Sequence, residues 1–127
     1  MNSNHTLSKG LAITLWAAQI LLSGLLLWAA AMKLFLPAVK LATMWPWTLE
    51  NRKLVVLTGV LDALAGLGLV LPRLLNIKPP LTFYAACGII ALMIAAMIFH
   101  ISRGEASLIG FNVFMLIAAA FIAWGRR

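Results

Sequence analysis

The chain has 127 residues, 64% hydrophobic and 10% charged, with a mean hydropathy of +1.03. Soluble domains carry about 25% charged residues, so this chain cannot coat a water-facing exterior, and its excess apolar surface must face lipid. The net charge of +7 comes from ten Lys/Arg against three acids; the basic residues sit singly at the ends of apolar runs, which suits lipid headgroups and topology setting and, without a basic stripe interleaved with aromatics, excludes nucleic-acid binding.

Four apolar segments follow one another, at 11–35, 54–71, 81–101 and 108–124. Each is near or above the ~17–25 residues that a spanning helix needs. The expected fold is therefore an all-α, integral membrane four-helix transmembrane bundle, one domain over residues 1–127. The first segment follows Lys9 and contains Ala29-Ala30-Ala31, which resembles a signal cleavage site. Its apolar stretch exceeds the ~7–15 residues of a signal core, so a retained span is expected. Its polar residues are Gln19, Ser23 and, about one turn from its end, Lys33.

The connection 37–53 is long and carries Trp45 and Trp47 around Pro46. Indoles favour the membrane–water boundary, where the ring is buried and the N–H stays wet; the pair reads as an interfacial anchor or as a lid over a pocket. The second segment, "GVLDALAGLGLVLP", sets Asp62 in its middle, with Thr58 one turn before it and Gly59 and Gly66 on the same face. A charged Asp at that depth costs roughly 2.5–3.5 kcal/mol on insertion scales and normally faces the bundle interior. Small residues beside it let a neighbouring helix approach closely. The next connection, 72–80, reads as a short turn built on Pro72, Asn76 and Pro79-Pro80. The third segment holds Cys87, the only cysteine, as a packing residue, and closes on His100; a shorter connection, 102–107, contains Arg103 and Glu105. Asn112 lies about one turn into the fourth segment.

Lys33 is the expected partner of Asp62. The first two spans run antiparallel, which puts both residues in one membrane half at a depth difference of roughly 6 Å. The competing reading is a lysine that snorkels to the headgroups. Lys33, Asp62, His100 and Asn112 then form a polar cluster contributed by all four spans, flanked by Arg103, Glu105, Trp45 and Trp47, with Gln19 nearer the opposite side. Such a cluster either fixes which helix meets which or lines a cavity for a polar headgroup, a quinone-like ring or a proton. One His and one Asp fall short of a metal ligand set, and no catalytic triad, phosphate loop or zinc-protease motif occurs. With an even number of spans both termini share a side; basic residues stand at five against four or five, which tilts the termini toward the cytoplasm.

The combination of "GVLDALAGLGLVLP", "LNIKPPLTFYAACGIIALMIAAMIFHISRGE", Asn112 and "WGRR" resembles the DoxX-like family of small four-span membrane proteins, from about Leu22 onward. The resemblance rests on Gly59, Asp62, Gly68 to Pro72, the Ala-rich third span, the His100, Arg103, Gly104, Glu105 motif, and Lys33 closing the first span. Two positions depart from the pattern: the acid is Asp62 where Glu is usual, and Ala30 stands near the place of a first-span Gly. The resemblance implies architecture more than activity, since the family includes proteins attached to quinone-linked sulfur oxidation, members of membrane redox complexes, and assembly chaperones of nicotinic receptors. The leading expectation is an accessory protein, not an enzyme by itself, that holds a membrane-protein partner or lipophilic ligand such as a quinone or lipid at the polar cluster. The alternatives are a subunit of a quinone-linked oxidoreductase, with Asp62 and His100 handling protons under Trp45 and Trp47, and a small proton-coupled exporter working as a dimer.

Overall fold

The computed structural model describes residues 8–78 and 80–127, so Pro79 of the expected turn lies outside the described residues. Helix α1 (Lys9–Phe35) starts where the Ser8 side chain accepts a hydrogen bond from the Leu11 N–H at 3.0 Å, satisfying one of the donors that a helix start leaves free. It stops because Pro37 disfavours helical geometry at the residue before it, and Leu36 is extended. The long connection is not structureless: it forms a short helix α2 (Ala38–Met44) and a 3-10 turn (Pro46–Leu49) with Pro46 at its first position. Thr48, buried there, donates to the Trp45 carbonyl at 2.7 Å, and Asn51 donates to the Trp47 carbonyl at 2.8 Å.

Helix α3 (Arg52–Leu74) corrects one expectation. Pro72 is buried inside the helix and does not open the turn. A proline lacks the N–H owed to the carbonyl four residues back, but so close to the end this loss is small, and the helix closes two residues later. Asn76, in the left-handed region at φ 54°, makes the turn instead, and the Ile77 N–H returns to the Pro72 carbonyl at 2.9 Å, one of the two bonds of a Schellman end. Helices α4 (Leu81–Ser102) and α5 (Gly110–Arg126) complete the bundle. Among them, α1, α3 and α4 are long and apolar enough to cross a membrane. Helix α5 has 17 residues, about 26 Å at 1.5 Å per residue, which sits at the short limit for a span.

The helices form a ring in which α1 packs on α3, α3 on α4, α4 on α5 and α5 back on α1. Leu22, Leu26, Leu69, Ile89, Met115 and Ile122 fill the centre, while Ile13, Leu64, Ile98 and Ile117 are among the large apolar side chains turned outward. Apolar faces on both sides of each helix are what a lipid-embedded bundle requires. Glycines set the closest seams. A Cβ at Gly59 would lie 3.1 Å from Leu34, and one at Gly66 3.0 Å from Leu27, so both let α1 approach α3. Ala30, near the place where the family pattern has a glycine, is buried.

Candidate functional site

The close α1–α3 seam places Lys33 against Asp62. Lys33 Nζ lies 2.8 Å from Asp62 Oδ2, and the pair is largely enclosed, with side-chain exposures of 13% and 4%. Nζ also donates to Thr58 Oγ1 at 3.2 Å, and that hydroxyl donates onward to the Leu54 carbonyl at 2.9 Å. Thr58 and Asp62 serve one ammonium because residues four apart share a helix face. Asp62 therefore has a counter-charge supplied by the neighbouring helix, as the depth argument expected, and Lys33 does not snorkel away. Trp45 and Trp47 sit over Nζ, their ring centres 5.9 and 5.8 Å from it, within cation–π range. Both indoles are half-buried.

A second group stands beside the first. The end of α4 is a full Schellman motif: Gly104, at φ +75°, lets the Glu105 N–H reach the His100 carbonyl at 2.8 Å and its own N–H reach the Ile101 carbonyl at 3.0 Å. Only a residue tolerant of positive φ closes this turn without strain. The turn folds the Glu105 side chain back over the helix end, where Oε1 lies 2.9 Å from His100 Nδ1 and 3.3 Å from Arg103 Nε. The hydrogen bond from His100 and the adjacent Arg103 charge hold the Glu105 carboxyl below its usual range. Trp47 joins the two groups, its ring 5.5 Å from Phe99 and 6.3 Å from His100 edge-on.

The expected four-span cluster is thus not one network. Lys33 and Asp62 meet directly; His100, Arg103 and Glu105 form their own group; Trp45 and Trp47 roof the first, and Trp47 bridges to the second. Asn112 is buried on α5, but among the described residues no hydrogen bond ties it to either group. No group of three or more His, Cys, Asp or Glu comes together among the described residues. Two open grooves lie elsewhere, one between α3 and α4 at Leu61, Leu64 and Gly88, the other between α1 and α5 at Thr14, Leu21 and Phe121, and both are apolar.

Sequence reasoning missed a third polar group in the opposite half. Ser23 donates to the Gly66 carbonyl and Gln19 Nε2 to the Leu69 carbonyl, both at 2.7 Å. Arg126, expected to reach lipid headgroups, instead turns inward, and its Nε donates to Gln19 Oε1 at 2.7 Å. A Cβ at Gly125 would run into the Leu15 side chain, so the glycine lets α5 close tightly on α1 and carry Arg126 with it.

A family model described as the DoxX-like family matches residues 17–122. No curated protein and no solved structure matches the chain.

Proposed function

Because the chain belongs to the DoxX-like family and is an integral membrane protein of all-α fold, we propose that it is an accessory protein, not an enzyme by itself. It holds a lipophilic molecule with an electronegative head, or the equivalent group of a membrane partner, at Lys33 under the two indoles. One observation carries this reading. Of the ion pair, the ammonium is the more exposed member, 13% against 4%, and two of its three N–H donors are used, on Asp62 and Thr58. The third faces the tryptophan roof and suits a carbonyl, quinone or phosphoryl oxygen. Asp62 holds Lys33 in place, Trp47 supplies a flat apolar wall, and His100 with Glu105 fixes the edge of that wall.

Titrating a short-tailed quinone into the solubilised protein while following tryptophan emission tests this. Saturable quenching that weakens about tenfold in Trp47→Leu, equivalent to losing about 1.4 kcal/mol, supports the site. Linear, non-saturating quenching that is identical in Lys33→Met refutes it. We propose on the same footing that both termini face the cytoplasm: their side carries Lys9, Arg73, Lys78, Arg126 and Arg127, against Lys40, Arg52 and Lys53 on the opposite side, where Lys33 and Arg103 are tied to carboxylates. Labelling of single cysteines placed near Lys9 and Lys53 from outside intact cells checks the orientation.

A further inference from the structure

Among the described residues no acid forms an ion pair with the inward Arg126. It is 9% exposed, Nε is committed to Gln19, and Nη2 is buried without a protein partner among the described residues. Gln19 is neutral, and its own donor is spent on the Leu69 carbonyl. The Trp16 ring lies 5.6 Å from the guanidinium carbon and covers one face. Arg73, at the end of α3, adds a repelling positive charge.

The chain holds three carboxylate side chains, Glu50, Asp62 and Glu105, and the last two are engaged in the opposite half with Lys33, His100 and Arg103. Glu50 precedes α3 on that same far side. The Arg126 end carries Lys9, Arg73, Lys78 and Arg127 besides, and residues 1–8 add no acid. Arg126 lies in the last turn of α5, whose C-terminal partial charge of about −0.5 favours the guanidinium but falls short of a full counter-ion. A second buried polar atom on this end, the Thr82 hydroxyl in the first turn of α4, also lacks a protein partner among the described residues. A buried charge without a counter-ion is strongly unfavourable, and among the described residues no carboxylate forms an ion pair with Arg126.

We propose that this end of the bundle binds a phosphate oxyanion, that of an anionic phospholipid, with Arg126 as its main donor and Arg73 as the second positive charge. The depth fits a lipid. Gln19 meets α3 at Leu69, five residues before the helix end at Leu74, which is about 8 Å below it and close to the headgroup region. Basic sites between helix ends recognise such headgroups, and the planar guanidinium matches phosphate geometry.

Native mass spectrometry of the full chain in detergent tests the proposal, using phosphatidylglycerol, a diacylglycerol with the same acyl chains, and inorganic phosphate as probes. The expected result is retention of phosphatidylglycerol and not diacylglycerol, weakened at least about tenfold in Arg126→Gln and in Arg73→Gln, as loss of a charged hydrogen bond implies. Arg73 makes no hydrogen bond to a described side chain, so Arg73→Gln folds and decides the matter should Arg126→Gln not fold. Equal retention of the two lipids, or an unchanged preference in Arg73→Gln, overturns the site. Displacement of the lipid by inorganic phosphate, with equal thermal protection, overturns the lipid assignment in favour of a free anion.

Discussion

Replacing Asp62 by Asn leaves the Lys33 ammonium inside the bundle with a neutral amide and the Thr58 hydroxyl, 3.2 Å away, as its neighbours. Breaking a buried ion pair from one side costs about 3–5 kcal/mol. Lys33 is 13% exposed and near the end of α1, so it recovers some hydration by turning outward, and about 2–3 kcal/mol is the expected loss. Lys33→Met strands the carboxylate instead, which at 4% exposure has no such escape, and the loss is of similar size. The double variant Lys33→Met/Asp62→Asn removes both charges and recovers most of the loss, because an apolar replacement of a buried pair is often near neutral. Unfolding in mixed micelles, run as a double-mutant cycle, should return a coupling of about 3–5 kcal/mol, the two single losses together less the small residual loss of the double variant. Additive single losses would refute the pair as the tie between α1 and α3.

Gly125→Ala places a methyl group in the Leu15 side chain and should cost about 1–3 kcal/mol by overpacking, whereas Gly88→Ala, with nothing within 4 Å of the new Cβ, should leave the melting temperature unchanged or raise it. Glu105 contributes through its depressed carboxyl: that stability is present above the ordinary glutamate range and is lost as pH falls through the lower folded value. Melting temperature plotted against pH should therefore lose part of its acid limb in Glu105→Gln, and an unchanged acid limb would show that the His100–Glu105 contact does not support the fold.

The ion pair was legible because depth along an antiparallel pair of spans follows from rise per residue alone, and Thr58, Gly59, Asp62 and Gly66 fall on one face by spacing. The four spans were legible from length, yet Pro72 was misplaced, since a proline near a helix end punctuates without terminating. Arg126 was not legible. A terminal arginine after an apolar run reads as a headgroup anchor, and only the rotation of α5 against α1, fixed by Leu15 meeting Gly125, turns it inward. That rotation is a property of packing, and periodicity within one helix does not carry it. The separation of His100 from Asp62 has the same origin, because sharing a depth does not bring two helices into register around the ring.

Trp45 and Trp47 belong to a segment made before α3, but their contacts reach two helices that lie diagonally across the ring and share no extended seam: Trp45 rests on Trp28 of α1, and Trp47 on Phe99 and His100 of α4. Within the first hairpin, α1 with α3, the Trp47 ring meets Lys33 but has neither Phe99 nor His100 beside it. Its docking waits for the third span to enter the bilayer and for the Gly104 turn to bring Glu105 onto His100. The Trp47 ring therefore joins the early half of the chain, through Lys33, to the late half, through Phe99 and His100.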